Sequence, residues 1–409
     1  MKSQRKNETP NPFFRVAGLT AVSFRTITLA FISSILLCNA WPIHAQTEMV
    51  LHSFTGQPDG EYPSAALVLN AKGNLYGTTD GGGAYDSSSG TVFEVTPSGI
   101  EKVLYNFGAQ DGDGSQPAAG LLLADGAFYG TTITGGPNSF GTIFKVTPAG
   151  REKVLDSFTV DDGGGYPEGN LIRDGQGNLY GTNSGYNGGY GNGAVFVITT
   201  TDKLTILYKF SGGADGLCPY GGLVLDSESN LYGTTYRGGV SGYGTVFEVT
   251  PDGQETVLYS FTGGTDGAYP AAGLARDDEG NLYGTTTGGG NGYGTVFKVS
   301  KTGVERVLHS FTGEADGYYP VATLVRDAKG NLYGTTVFGG THGDGTVFKV
   351  TKAGVESVLY SFTGGADGNQ PNAGVVFDKQ GNLFGTTVNG GIANSHCPDG
   401  CGVVFELVL

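Results

Sequence analysis

The chain repeats one phrase seven times. A VLYSF-like run is followed by a D-G-x-x-P turn, a GLV-D run, a G-N-L-Y-G-T-T run, a glycine-rich loop and a G-T-V-F-K-V run. Aligned on the G-N-L-Y-G-T-T run, the copies anchor at Asn74, Ala127, Asn178, Asn230, Asn281, Asn331 and Asn382, spaced by 53, 51, 52, 51, 50 and 51 residues. So even a period marks one supersecondary unit copied in tandem, at the length of a propeller blade. Each copy holds four short runs rich in Val, Leu, Phe, Tyr and Thr, punctuated by Gly, Pro, Asn and Asp. The expected fold is all-β: a seven-bladed β-propeller of four-stranded antiparallel blades.

The shortest turns order the strands. In the fourth copy, Gly244–Thr250 leads through Pro251-Asp252-Gly253 into Gln254–Phe261, a hairpin signal. Strands a to d of that blade then read Pro219–Asp226, Asn230–Thr235, Gly244–Thr250 and Gln254–Phe261. The run at Met49–Phe54 is a d strand with no a, b or c before it, and Gly402–Leu407 is a c strand with no d after it. The ring is expected to close by the N-terminal strand joining the last blade, which removes two free sheet edges.

Glycine is abundant, at 74 of 409 residues, but it is periodic and confined to turns between strong apolar runs, so disorder is the weaker reading. Residues 1–45 read as a signal peptide: Lys2, Arg5, Lys6, Arg15 and Arg25 precede the apolar stretch Ile27–Cys38, and small residues stand at Ala40 and Ala45. An uncleaved anchor is the alternative. The propeller occupies residues 46–409 as one domain. Without residues 1–45 the 23 basic residues fall by five and the 38 acidic by one, leaving a net charge of −19. Such an acidic surface argues against nucleic acid and anionic membranes as partners, and no further stretch has membrane-spanning length. A monomer, secreted or held in the cell envelope, is expected. There Cys397 and Cys401, four apart, are the candidate disulfide, with Cys218 left over. The run His396–Cys401 also offers metal ligands, but its spacing fits no common zinc pattern, and no metal site is assigned.

Candidate ligand-binding residues cluster on the rim formed by d-to-a turns and b-to-c loops. Asp59, Asp113, Asp215, Asp266, Asp316 and Asp367 recur in the D-G-x-x-P turns, with Asp162 displaced by one residue in the third copy. A ring of carboxylates admits calcium as a cofactor, although Asp-Gly is also a favoured turn pair in its own right. Tyr62, Tyr166, Tyr269 and Tyr319 precede the turn proline, and Tyr243 and Tyr293 precede the glycine opening strand c. Their rings suit either interblade packing or stacking on sugar rings beside acceptor carboxylates. The last b-to-c loop, Val388–Cys401, is the longest and carries His396 and Asp399; the preceding blade has His342 and Asp344 in the equivalent loop. His–Asp pairs can do acid–base chemistry, yet no nucleophile elbow or metalloprotease motif occurs, and no catalytic residue is assigned. His52 and His309 fill the slot held by Tyr105, Tyr208, Tyr259 and Tyr360 and read as strand substitutions. Counting from the c–d turn centre pairs Lys145 with Glu152, Lys298 with Glu305, Lys349 with Glu356, Glu94 with Glu101 and Glu248 with Glu255, which places these residues on a solvated outer rim.

The unit at Gly280–Phe311, G-N-L-Y-G-T-T-x-x-G-G-x-x-x-G-T-V-F-K-V-x-x-x-G-x-E-x-V-L-x-S-F, resembles the GloVer-type bacterial tandem repeat, and all seven copies carry the resemblance. That family implies an exported β-propeller-like protein and no particular activity. Function is therefore expected to be non-catalytic binding or scaffolding, with a glycan, another envelope polymer or a protein as partner. The alternative is an exported polysaccharide hydrolase or lyase using the loops of blades 6 and 7.

Overall fold

A computed structural model describes residues 47–85, 87–185 and 189–409; residues 1–45, read above as a signal peptide, lie outside the described residues. Seven four-stranded antiparallel sheets are arranged as the blades of a propeller. In blade 4 the strands are Val224–Leu225 (a), Leu231–Thr235 (b), Thr245–Val249 (c) and Glu255–Ser260 (d), hydrogen-bonded in that order. Strand a is the innermost and shortest. Blade 7 takes its d strand, Thr47–Ser53, from the N-terminal end, antiparallel to Val403–Val408 with Thr47 opposite Val408 and Ser53 opposite Val403.

The repeat motif is written by packing between blades. The Phe of each T-V-F run is fully buried and receives, edge-on, the Phe that ends strand d of the previous blade. The pairs are Phe107–Phe144, Phe158–Phe196, Phe210–Phe247, Phe261–Phe297, Phe311–Phe348 and Phe362–Phe405, with centroids 5.0–5.2 Å apart. Phe54–Phe93, at 5.0 Å, makes the same contact across the closure. Each buried ring contributes about 1.5–3 kcal/mol of transfer free energy. The glycine of G-T-T makes room for it: a Cβ on Gly77 would lie 2.6 Å from Phe93 Cζ and 2.9 Å from Leu67 Cδ2. In six blades the first Thr ties blade to blade, its hydroxyl donating to a backbone carbonyl just before the next strand a, as Thr234 does to Ala272 O at 2.8 Å; the buried Thr285 hydroxyl makes no such bond. Thr386 donates to Ala65 O at 3.3 Å, again across the closure.

The c–d register differs from the count made on the sequence. Glu94 opposes Lys102, Glu248 opposes Thr256, Lys298 opposes Arg306, Lys145 opposes Lys153 and Lys349 opposes Ser357. Glu101, Glu152, Glu255, Glu305 and Glu356 instead face the last Val of strand c. The turn is a three-residue loop, Pro97-Ser98-Gly99 in blade 1, whose glycine adopts φ +79°. Three loop residues put the turn centre on a residue and not on a bond, so every partner moves by one. A bulge at Leu104, between the Val92–Tyr105 and Phe93–Val103 pairs, then restores the inward face of strand d.

Candidate functional site

The turn aspartates point into their own loops. Thr55 donates its backbone N–H and hydroxyl to Asp59 Oδ1 at 3.1 and 2.6 Å, while His52 Nε2 lies 3.2 Å from Oδ2. Asp215, Asp266 and Asp367 repeat this with Ser211 and Tyr208, Thr262 and Tyr259, and Thr363 and Tyr360. Asp316 does so with Thr312 and His309, and Asp113 binds the Tyr105 hydroxyl and Gly114 N–H. The Tyr or His of strand d is thus the partner of the turn Asp that follows it. Burial works to raise the Asp215 and Asp266 carboxyls, but hydrogen bonds from Ser211 and Thr262 hold them below the usual range.

Behind each cluster lies the first residue of strand d in the next blade. Burial, and then the charge of Asp215, pushes Glu255 up to about 7. Glu152, Glu305, Glu356 and Glu48 sit likewise beside Asp113, Asp266, Asp316 and Asp367, and Glu101 beside His52 and Asp59, all raised to about 7. The junction between blades 2 and 3 breaks the pattern in every member together. Asp156 replaces the Tyr, Leu204 replaces the Glu and donates its N–H to Asp156 Oδ2, and Asp162 binds Thr159 from within a short 3-10 turn.

The residue before the turn proline has a backbone duty. Tyr62, Gln116, Tyr166, Cys218, Tyr269, Tyr319 and Gln370 all adopt φ between +56° and +61°, a region side chains enter at a cost. There the N–H of Tyr269 donates to Tyr243 O in the preceding blade, and its carbonyl accepts from Thr287 N–H. The ring is left projecting from the rim: Tyr62 and Tyr319 are 37% and 39% exposed. Tyr243 packs against Tyr269 at 5.5 Å and Tyr293 against Tyr318 at 5.7 Å, so these rings bridge neighbouring blades.

Two columns of the repeat break its symmetry at the channel mouth: the residue after the turn proline and the residue after T-T. They read Ser64/Asp80 in blade 1, Ala118/Ile133 in blade 2, Glu168/Ser184 in blade 3 and Tyr220/Tyr236 in blade 4. Blades 5 to 7 carry Ala271/Thr287, Val321/Val337 and Asn372/Val388. A funnel of about 710 Å³ opens here, lined among others by Glu168, Ser184, Tyr220, Tyr236, Arg237 and Tyr319. Tyr236 meets Tyr220 at 5.3 Å and Tyr269 at 5.2 Å, building an aromatic wall. The polar wall has Ser184 donating to Glu168 at 3.1 Å; outside the lining, Ser64 donates to Asp80 at 2.8 Å. Burial raises Glu168 to about 7, aided by the charge of Asp80, and raises Asp80 to about 6. Of the sequence-derived candidates, Tyr166 and Tyr319 line this funnel and Tyr269 backs it; Tyr62, Tyr243, Tyr293 and the six aspartates are not in its lining. Glu168, Tyr220, Tyr236 and Arg237 escaped the sequence reading, although comparing the copies column by column would have flagged them.

The long blade 7 loop clasps the closure. Cys397 and Cys401 are joined, with Cα atoms 5.3 Å apart. His396 Nε2 lies 2.8 Å from Glu61 Oε2, and Asn394 Nδ2 donates to Thr55 O at 3.1 Å. His396 therefore pairs with the N-terminal segment and not with Asp399. In blade 6, His342 Nδ1 is 3.0 Å from its neighbour Thr341 Oγ1, in an exposed position.

A closed ring with one asymmetric, aromatic-lined mouth defines a propeller whose distinguishing chemistry sits at the channel entrance. The chain belongs to the Gloeobacter/Verrucomicrobia repeat family, whose model matches residues 41–228 and 186–405. No curated protein matches. Among solved structures, the extracellular domain of a hybrid two-component system from B. thetaiotaomicron aligns at 10% identity with a TM-score of 0.55, covering 88% of this chain and 39% of that one. A second structure, the extracellular domain of a one-component system of the same organism, gives 10% identity and a TM-score of 0.53, covering 88% of this chain and 40% of that one. The chain thus spans about two-fifths of the length of those two proteins. A gluconolactonase from Xanthomonas campestris aligns at 16% identity with a TM-score of 0.41, over 65% of this chain and 78% of its own.

Proposed function

We propose that the protein is an exported, non-catalytic binding module that holds a segment of glycan in the funnel at the channel mouth. The observation that carries this reading is the two-sided funnel. Tyr220, Tyr236 and Tyr319 offer apolar faces for sugar rings, while Glu168, Ser184 and Gln116 offer acceptors and donors for hydroxyls at one open cavity. Its volume, about 710 Å³, falls within the usual range of small-ligand pockets. Export is supported by the basic and apolar composition of residues 1–45 and accords with the extracellular origin of two propellers of this fold.

Binding without turnover is favoured over hydrolysis because His396 is committed to Glu61, and His342 sits exposed beside Thr341. The test is retention of the purified chain on immobilised cell-envelope and plant polysaccharides, with calcium and with chelator, followed by calorimetry on the retained glycan. Retention lost with Tyr236→Ala supports the reading; release of reducing ends, or retention unaffected by any funnel substitution, overturns it.

A further inference from the structure

The clasp at the ring closure gathers more metal-ligating atoms than a disulfide needs. Glu61 Oε2, His396 Nε2 and Cys397 Sγ lie within 4.8 Å of one another. His396 Nε2 is 2.8 Å and Cys397 Sγ 3.3 Å from the same Glu61 oxygen, and Cys401 Sγ is the partner of Cys397. Glu61 is buried, and among the described residues no lysine or arginine is paired to it. We propose that, when Cys397–Cys401 is reduced, this cluster is a binding site for a thiophilic divalent cation of the zinc class, held by Glu61, His396, Cys397 and Cys401.

The chemistry balances simply. A dithiol reductant supplies two electrons and two protons to the Cys397–Cys401 bond and leaves as its own disulfide. Cation entry then releases the two thiol protons to solvent, giving one carboxylate, one neutral imidazole and two thiolates, a four-ligand set that suits tetrahedral zinc. Oxidation and metal binding are alternatives at the same sulfurs, and each ties the last b-to-c loop to the segment after the N-terminal strand.

The surroundings are shaped for these ligands. Asn394 Oδ1 accepts the backbone N–H groups of both His396 and Cys397, at 2.7 and 2.8 Å, which fixes the direction of the two side chains. Its Nδ2 stands 4.0 Å from Cys401 Sγ, where an N–H donor supports a metal-bound thiolate. Gly56, at φ +89°, admits the imidazole: a Cβ there would lie 2.4 Å from His396 Cδ2. No other blade has an acidic residue at the position of Glu61, which is Ser115, Gly165, Leu217, Ala268, Tyr318 and Asn369 elsewhere.

The test titrates cobalt(II), then zinc, into the chain reduced by a dithiol and freed of reductant under inert gas, in a Cys218→Ser background that removes the remaining free thiol. The expected result is one equivalent of cobalt with thiolate-to-cobalt charge-transfer absorption, displaced by zinc, absent from the oxidised chain, and weakened at least tenfold by His396→Ala and by Glu61→Gln. Absence of that absorption overturns the proposal. So does binding that is indifferent to both substitutions, since it would reflect the dithiol alone. Circular dichroism of the reduced chain runs in parallel, and a fold lost on reduction and not regained with zinc also counts against it.

Discussion

Truncating Phe54 tests whether the N-terminal strand is a working blade member. Phe54 is fully buried and meets Phe93 of blade 1 at 5.0 Å, while Phe261 occupies the same slot inside the array and meets Phe297 at 5.1 Å. Removing a buried Phe ring costs its transfer free energy, about 1.5–3 kcal/mol. It also leaves a cavity on the order of 100 Å³ which, at about 24 cal/mol per Å³, adds roughly 2 kcal/mol. Phe54→Ala and Phe261→Ala are therefore each expected to lose about 3–5 kcal/mol. Guanidinium unfolding followed by tyrosine fluorescence and circular dichroism gives the two losses from the shift in midpoint at constant slope. The two losses should agree within about 1 kcal/mol, since the two sites are distant and equivalent. A loss below about 1 kcal/mol for Phe54→Ala, with a full loss for Phe261→Ala, would refute the closure as a structural equal of the other junctions.

Further outcomes follow from the same geometry. Glu48, Glu101, Glu152, Glu255, Glu305 and Glu356 are raised from 4.5 to about 7 in the folded chain. The folded state then holds more protons than the unfolded one between those values, so their contribution is complete below about 4.5 and lost as pH rises through 7. The unfolding midpoint should be higher at pH 5 than at pH 8, and Glu305→Gln should reduce that difference; a midpoint that rises towards pH 8 contradicts it. Gly284→Ala should cost about 1–3 kcal/mol by overpacking, since its Cβ would sit 2.6 Å from Phe297 Cζ. The same change at Gly292, where nothing lies within 4 Å of a Cβ but φ is +99°, should cost only the backbone strain, about 1 kcal/mol. Equal losses at the two positions would mean that the Phe column does not set the blade spacing.

The fold was legible because its information is periodic. The G-T-T glycine, the T-V-F phenylalanine and the D-G-x-x-P turn each recur at one place in the blade, and the offset of Met49–Phe54 from the other copies already implied how the ends meet. The register of the c–d hairpins was not legible, because a symmetric count assumes an even loop and Pro-x-Gly is odd. The burial of Glu255 and its equivalents followed from that same shift, which takes them off the solvated rim and sets them beside a turn Asp. For the site, attention to what recurs was misleading. The recurring Asp and Tyr residues largely secure turns and blade contacts. The residues lining the funnel, Glu168, Tyr220 and Tyr236, stand where the copies disagree, in two columns that only the channel axis brings together. The Glu61–His396 contact spans 335 positions, a pairing that no local pattern announces.

Calorimetric titration of the retained glycan into three chains measures the proposed function most directly: the unaltered protein, Tyr236→Ala in the funnel and Asp266→Asn in a rim turn. The account predicts a loss of affinity of at least tenfold for Tyr236→Ala, the scale of one stacked ring, and little change for Asp266→Asn, whose carboxylate serves its own loop. Affinity lost with Asp266→Asn and kept with Tyr236→Ala, both chains being folded, would place the ligand on the outer rim and contradict it.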